Sequence, residues 1–308
     1  MVKAIHITDV HENAQKIELA AAIAQKTGAK ISYITGDFIG KEHGNSNQQN
    51  SLDDRLEAIL RDNEKAIKLQ ERYGIQTQED LDNLDESTQN EFNQKSQELL
   101  QGKAQSIIQE TAKSYESLKP SLEKLAKQTK VVGVMGNHDL QIGYKVLEDV
   151  VTFAEREKEV KVEGLTIKGA INTNDDEIPG IYGNELVQQV LGRYFVNYAE
   201  GSSDMSNEAV AKANKDTYEK LTKTGPADVF LTHVQPEVKF GGNKSPHGQA
   251  TADYSKIVGG TYSGHKHGGE IILGVDGELH LNPGPNHAFV VEYDNNNKPK
   301  AIEIYKLN

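Results

Sequence analysis

The sequence predicts an α/β fold with two layers of sheet, and two features of the chain carry this prediction. Near the N-terminus, apolar strand-like runs alternate with a helical pattern, which is typical of a βαβ unit in a parallel sheet. In the C-terminal third, several short strand-like runs follow one another and are separated by Gly, Asn and Asp turns. The number of strands exceeds what one sheet usually holds, so we expect two sheets flanked by helices.

Size and composition limit what this chain does. Its 308 residues are enough for one large core, and we predict a single domain over residues 1–308 with an insertion inside it. The net charge of −12 repels a nucleic-acid backbone and makes a dedicated nucleic-acid surface unlikely. Because the chain has no cysteine, a metal would have to be held by nitrogen and oxygen ligands.

The first three strands of the predicted sheet are separated by one helix and one long insertion. Residues 2–8 form a strand, a helical pattern from Ile17 ends at Lys26 before the stop signal Gly28, and a second strand covers residues 30–35. The third strand is the apolar run 131–135. His6 lies between two isoleucines of the first strand, so we interpret it as a buried structural histidine.

Residues 41–118 are predicted to be a helical insertion. One amphipathic pattern covers 52–67, and another steps through Ala104, Ile108, Thr111, Tyr115 and Leu118. Pro120 is expected to kink the helix or to start a new one. Two interpretations stay open: a solvated helical hairpin packed on the domain, or a lid or homo-oligomerisation arm.

The remaining elements follow from the same patterns. After the third strand we predict a short helix over 145–154 and a hairpin of strands 159–162 and 165–170 that turns at Glu163-Gly164. Helical patterns cover 184–198 and 207–223. Further strands are predicted at 228–232, 259–263, 270–275, 278–281, 288–293 and 301–305, with hairpin turns at 276–277 and 295–297.

Metal-capable side chains follow strand after strand, at the edge where an open α/β sheet binds ligands. They are Asp9, His11, Asp37, Asn137, His138, His233, His265 and His267. A single aspartate at such a place is more often a helix cap or turn residue, and a single histidine is more often structural. Their repetition at several strand ends instead favours a metal site built from carboxylates and imidazoles.

In order and spacing, these blocks resemble the signature of the calcineurin-like metallophosphoesterase superfamily. The blocks are Asp9-x-His11, Gly36-Asp37, Gly136-Asn137-His138-Asp139, His233 and Gly264-His265-x-His267. The resemblance covers the chain apart from the insertion, which is longer than the usual connection. It implies a four-layer α-β-β-α sandwich of two mixed sheets, with the inserted helical hairpin as the main departure.

The resemblance also implies a site for two divalent metal ions. One ion would be held by Asp9, His11 and His267, the other by Asn137, His233 and His265, and Asp37 would bridge them. Hydroxide formed at such a centre attacks a phosphoester, and the metals stabilise the attacking and leaving oxygens. His138 would protonate the leaving oxygen, and Asp139 would orient His138. Manganese or iron is favoured over zinc, nickel or magnesium, although these metals tolerate overlapping sites.

The substrate class and the location of the protein follow less directly. Asn282-Pro283-Gly284 after the last histidine block resembles small prokaryotic (Icc-like) phosphoesterases, which favours a phosphodiester or nucleotide substrate. The alternatives are a phosphomonoesterase or nuclease of the same fold, or a non-catalytic scaffold that uses the insertion as a partner interface. No apolar run reaches the roughly 18 residues of a membrane span, so we expect a cytoplasmic protein without a membrane partner.

Overall fold

Two six-stranded mixed sheets form the centre of the protein. The structure is a computed structural model that describes residues 1–40, 68–69, 71–75, 80, 82–136, 138–170, 191, 194, 219, 223, 225–233, 259–264, 268–273 and 279–307. The predicted α/β class with two mixed sheets is confirmed.

The helices are α1 (Ala14–Thr27), α2 (Glu86–Ala126) and α3 (Ile142–Leu147). The strands before residue 171 are β1 (Lys3–Ile7), β2 (Ile31–Thr35), β3 (Lys130–Val134), β4 (Thr152–Phe153), β5 (Val160–Val162) and β6 (Leu165–Ala170). The strands after it are β7 (Val229–Thr232), β8 (Thr261–Tyr262), β9 (Glu270–Leu273), β10 (Leu279–Asn282), β11 (His287–Tyr293) and β12 (Pro299–Lys306).

In each sheet, the strand order places the carboxyl ends of the parallel strands at one edge. The first sheet has the order β12-β11-β1-β2-β3-β4, in which β1 to β4 are parallel to one another and β11 is antiparallel to β1. The second has the order β5-β6-β7-β8-β10-β9, with β6, β7, β8 and β10 parallel. Since parallel strands end on the same side, the tips of β1, β2 and β3 lie side by side.

Apolar side chains divide into two cores that correspond to layers. One core lies between the first sheet and the helices and includes Ile17 of α1, Leu122 of α2 and Val131 of β3. The other lies between the two sheets and includes Tyr33 of β2 and Leu231 of β7. Alternate residues of each central strand therefore face different layers, as a period of two requires. The helices predicted at 184–198 and 207–223 lie mostly outside the described residues.

The helix α2 runs without interruption from Glu86 to Ala126, so no new helix starts at Pro120. Leu118, Leu122 and Leu125 are fully buried and continue one apolar stripe across the proline. Burial of this stripe against α1 and the sheet offsets the hydrogen bond that a proline cannot donate. The predicted end of the insertion, residue 118, falls inside this helix, while the helix predicted at 52–67 lies outside the described residues.

The helix predicted at 145–154 is wrong in its second half. α3 ends at Leu147, and Thr152–Phe153 form the edge strand β4, parallel to β3. The segment 150–153 is Val-Val-Thr-Phe, which is rich in β-branched and aromatic residues. Pairing with β3 places Phe153 against Phe38 and Tyr144, and this packing outweighs the helical spacing.

The predicted turns agree with the structure where it describes them. The hairpin of β5 and β6 turns at Glu163 and Gly164, which both have positive φ, as a two-residue turn of this kind requires. The turn between β11 and β12 contains Asn297 at φ 62°. The turn predicted at 276–277 lies outside the described residues. Among the described helices, none is both long and apolar enough to cross a membrane.

Candidate metal centre

The loops that follow β1, β2 and β7 are joined directly by hydrogen bonds. The backbone N–H of His11 donates to the carbonyl of Asp37 at 2.8 Å, and that of Glu12 donates to Phe38 at 2.8 Å. His233, at the end of β7, lies within hydrogen-bond distance of Thr35 at the end of β2, with 2.8 Å from Nδ1 to the carbonyl. The edge of the second sheet is thus fixed to the edge of the first.

The candidate ligands sit on backbone in the left-handed region. Asp9 and His11 have φ of 48°, Glu12 has 59° and Asp37 has 47°. Residues other than glycine rarely adopt this conformation, and each instance costs on the order of 1 kcal/mol or more. Hydrogen bonds between the two loops hold these residues in place. The folded state therefore loses some stability, and this strained backbone orients the side chains of the cluster.

Two groups of metal-capable side chains, all buried except the half-buried His138, share Asp37. One group is His11, Asp37 and His138, and the other is Asp9, Asp37 and His233; within each, the three ligand atoms lie within 4.8 Å of one another. His233 Nε2 is 3.3 Å from Asp37 Oδ2, and His11 Nε2 is 3.9 Å from Asp9 Oδ1. Clustered carboxylate oxygens and imidazole nitrogens suit divalent ions such as manganese, iron or zinc.

Hydrogen bonds indicate which nitrogen of each imidazole faces the carboxylates. His233 Nδ1 faces the Thr35 carbonyl, and His11 Nδ1 faces the carbonyl of Ile39 at 3.3 Å. A carbonyl only accepts, so Nδ1 carries the proton in both rings and donates it. Nε2 of each ring then faces the carboxylates, and a metal bound there would take the place of any proton on Nε2, as in other metal-binding histidines.

Charges within the cluster shift the pKa values of its members strongly. Burial opposes ionisation of Asp37, but His233, His138 and His11 together lower its pKa well below the ordinary range. For His233, burial lowers the pKa, but Asp37 and Asp9 outweigh it and raise the value to about 9. Burial lowers the pKa of His11. The positive charge of His233 thus stabilises the ionised carboxylates beside it, and a bound cation would also do so.

Glycines at the strand tips give the cluster its room. Gly40 has φ of +98°, and a Cβ there would lie 2.6 Å from Nδ1 of His138. A Cβ on Gly136 would lie 2.9 Å from Cγ of Asp37 and closer still to Oδ1. A side chain at Gly40 would displace His138, and one at Gly136 would displace Asp37.

Asp139 fastens the loops rather than the ring of His138. Its carboxylate is fully buried and accepts from the backbone N–H of Gly136 at 2.8 Å and from those of Phe38 and Ile39, both at 3.3 Å. The hydroxyl of Tyr115 donates to it at 3.0 Å. No hydrogen bond joins Asp139 to His138 among the described residues, so Asp139 acts on its neighbour through the backbone. Burial and Asp37 raise the pKa of Asp139 to about 7.

Asn137, His265 and His267, the other three expected ligands, lie outside the described residues. The structure does describe where their loops begin. A Cβ on Gly264 would lie 3.0 Å from Asp9 Oδ2, and the side chain of Asn282 donates to the Gly264 carbonyl at 3.0 Å. The chain therefore enters the last histidine block beside Asp9.

Three residues support the cluster without having been predicted from the sequence. Lys16 of α1 is buried, and its ammonium donates to the carbonyl of Asp9 at 3.1 Å. Glu155 accepts from the backbone N–H of Met135 at 2.9 Å, directly before the third block. The third is Tyr115 on α2. No sequence pattern marks Lys16 or Glu155, since a charged residue in an amphipathic or loop segment is usually exposed.

His6 has the structural role expected of it. It is fully buried, its Nε2 lies 2.8 Å from the hydroxyl of Thr35, and its ring packs edge-on against Tyr262. Burial lowers the pKa of His6 to about 3. His6 therefore stays neutral behind the site.

Comparison with known proteins agrees on the fold at low sequence identity. No family model matches the chain, and a search of curated proteins gives no match. One solved structure aligns with a TM-score of 0.54 and 12% identity over 99% of both chains. The calcineurin-like phosphoesterase YfkN from Bacillus subtilis aligns with a TM-score of 0.44 and 13% identity, covering 99% of this chain and 90% of its own. A dimetal phosphatase from Danio rerio gives 0.42 and 9%, covering 100% and 99%.

At these identities the likeness concerns the fold, and the two-sheet sandwich is the feature it supports. The chemistry has to be argued from the cluster itself.

Proposed function

We propose that this protein is a metal-dependent phosphoester hydrolase. The observation that carries the proposal is the carboxylate of Asp37, which lies within 4.8 Å of the ligand atoms of Asp9 and His233 in one group and of His11 in the other. One carboxylate between two such groups is what a pair of cations bridged by a common ligand requires. A group built only for stability would not gather two carboxylates and several imidazoles in a buried site, because their desolvation is costly.

The residues present fit two divalent ions. Asp9, His11, Asp37 and His233 are buried and offer only oxygen and nitrogen, and hydrogen bonds at Nδ1 of both histidines orient Nε2 toward the carboxylates. We infer that Asn137, His265 and His267 complete the ligand set. When bound, the metals would lower the pKa of a water molecule and neutralise charge on the phosphoryl oxygens. Manganese and iron are the favoured metals for this site.

His138 is the proposed proton donor to the leaving oxygen. It lies in the loop after β3, and its backbone N–H donates to Oδ1 of Asp37 at 3.1 Å, which holds this loop against the shared carboxylate. Its ring lies 5.7 Å from that of His11, centre to centre. A proton donor beside the site of attack contributes about 10²–10⁴-fold to turnover. Asp139 keeps this loop in position through Gly136 and the loop after β2.

A phosphodiester or a nucleotide is the proposed substrate. The protein carries a net charge of −12, so an anionic phosphate group would be attracted locally by the two cations and not by the general field of the protein. The same field disfavours long nucleic acids, whose binding relies on many phosphate contacts. A phosphomonoesterase would share the metal centre and differ in the groups that surround the leaving group.

Hydrolysis before and after metal removal tests the proposal. The purified protein is assayed on an aryl phosphodiester and on the matching phosphomonoester, then stripped with a chelator and reconstituted with Mn²⁺. We expect the stripped protein to be inactive and the reconstituted protein to cleave the diester faster than the monoester. An unchanged rate after complete metal removal would refute the proposal. Absence of both metal binding and hydrolysis would favour the non-catalytic scaffold.

A further inference from the structure

We propose that Tyr115, on the long helix α2, is a positioning residue for the metal centre, so that this helix forms part of the active site. The inference rests on the proposed function. It adds a residue that lies outside the five sequence blocks and that joins the site to the element on which the helical insertion is built.

The hydroxyl of Tyr115 contacts the loop after β3 at two successive residues. It donates to Asp139 Oδ1 at 3.0 Å and accepts from the backbone N–H of Leu140 at 2.9 Å. A tyrosine hydroxyl has one hydrogen to donate and lone pairs to accept, so both contacts are made at once. Burial raises the pKa of Tyr115 well above its ordinary value, so the hydroxyl keeps its proton.

Asp139 transmits this contact to the candidate ligands. Its two oxygens accept from Phe38 and Ile39, which directly follow Asp37, and from Gly136, which precedes the loop of His138. In the loop after β2, Asp37 itself has a costly backbone conformation with φ of 47°. Removal of the Tyr115 hydroxyl would leave a buried carboxylate and a buried N–H without one partner each, and the loops would relax.

A neighbouring residue on the same helix reaches the loop of β1. The hydroxyl of Ser114 donates to Glu12 Oε2 at 3.3 Å, and the backbone N–H of Glu12 donates a hydrogen bond to the carbonyl of Phe38. Two successive residues of α2 therefore contact the loops of His11 and His138. The packing around Tyr115 is also specific, since a Cβ on Gly143 would lie 2.5 Å from Cζ of the ring. The glycine lets α3 approach close enough for the hydroxyl to reach Asp139.

The test compares Tyr115→Phe with Tyr293→Phe. Tyr293 is equally buried and its hydroxyl also has two partners, those of Tyr33 and Tyr262, but it lies between the sheets. Titration of each metal-free variant with Mn²⁺ by calorimetry gives the affinity directly, and thermal unfolding gives the stability. We expect both variants to lose stability, and we expect Tyr115→Phe alone to bind Mn²⁺ about 10–100-fold more weakly, which is the usual effect of losing a partner that orients a ligand.

A double-mutant cycle that combines Tyr115→Phe with Asp139→Asn tests whether Tyr115 acts through Asp139. If Tyr115 acts through Asp139, the loss of metal affinity in the double variant will be smaller than the product of the two single losses. Wild-type affinity in a folded Tyr115→Phe variant, or an equal loss in Tyr293→Phe, would overturn the inference while leaving the proposed function intact. A wild-type protein that binds no Mn²⁺ would instead refute both.

Discussion

Replacement of Gly136 by alanine should damage the metal centre through a single methyl group. Gly136 does not have a positive φ, so alanine brings no backbone penalty there. The new Cβ would lie 2.9 Å from Asp37 Cγ and nearer still to its Oδ1 and backbone nitrogen, whereas ordinary contact begins at 3.4 Å. Asp37 would have to move by roughly half an ångström or more, away from both groups of ligands that it joins.

The expected effect is large on metal binding and moderate on stability. Overpacking of this kind costs about 1–3 kcal/mol in the free energy of unfolding. Displacement of the shared carboxylate weakens both sites, so we expect at least a tenfold loss of Mn²⁺ affinity and about 10²-fold slower hydrolysis.

Calorimetric titration of metal-free protein and initial rates on an aryl phosphodiester measure the two effects. Gly102→Ala is the matched control: Gly102 lies on α2 with nothing within 4 Å of a Cβ. That variant should be stabilised by about 1 kcal/mol, because alanine is the better helix former, and should keep its metals. A Gly136→Ala protein that binds two Mn²⁺ with wild-type affinity would refute the placement of Asp37 as the shared ligand.

Three further variants test the site and the fold. His138→Ala should retain its metals and lose about 10²–10⁴-fold in turnover; loss of metal, measured by elemental analysis, would instead make His138 a ligand. His6 has a folded pKa of about 3 and a reference pKa of 6.5, so the unfolded chain binds the additional proton and stability falls as pH drops below 6.5. Between pH 6.5 and 4.5 this costs up to about 3 kcal/mol, and denaturant unfolding of His6→Gln should show a shallower pH dependence; equal slopes would contradict the assignment. Pro120→Ala should raise the free energy of unfolding by up to about 3 kcal/mol, because it restores a helix hydrogen bond. A variant with a lower free energy of unfolding than the wild type would contradict the continuous helix.

The strand tips could be predicted because their signals are local. An apolar, β-branched run followed by Asp9, Asp37 or His233 indicates both the strand and the edge at which its polar residue appears. Parallel pairing then brings these edges together without further information. The sequence alone therefore predicts that Asp9, His11 and Asp37 lie close together, as they do in the structure.

The contacts that fasten the site could not be predicted, because they join residues distant in sequence. Tyr115 lies 24 positions from Asp139, and helical spacing marked it merely as a member of the buried stripe. The ammonium of Lys16 bonds a backbone carbonyl, and such a bond has no sequence pattern. The strand at Thr152–Phe153 was missed for a related reason, since pairing with β3 outweighs the local helical spacing.

The measurement that tests the central claim most directly is hydrolysis as a function of bound metal. Metal-free protein is titrated with Mn²⁺ while the bound metal per chain and the rate on an aryl phosphodiester are followed together. Two groups of ligands that share Asp37 predict a rate that starts near zero and levels off when two ions are bound per chain. A rate that is already maximal without metal, or that levels off at one ion, would contradict the two-metal centre.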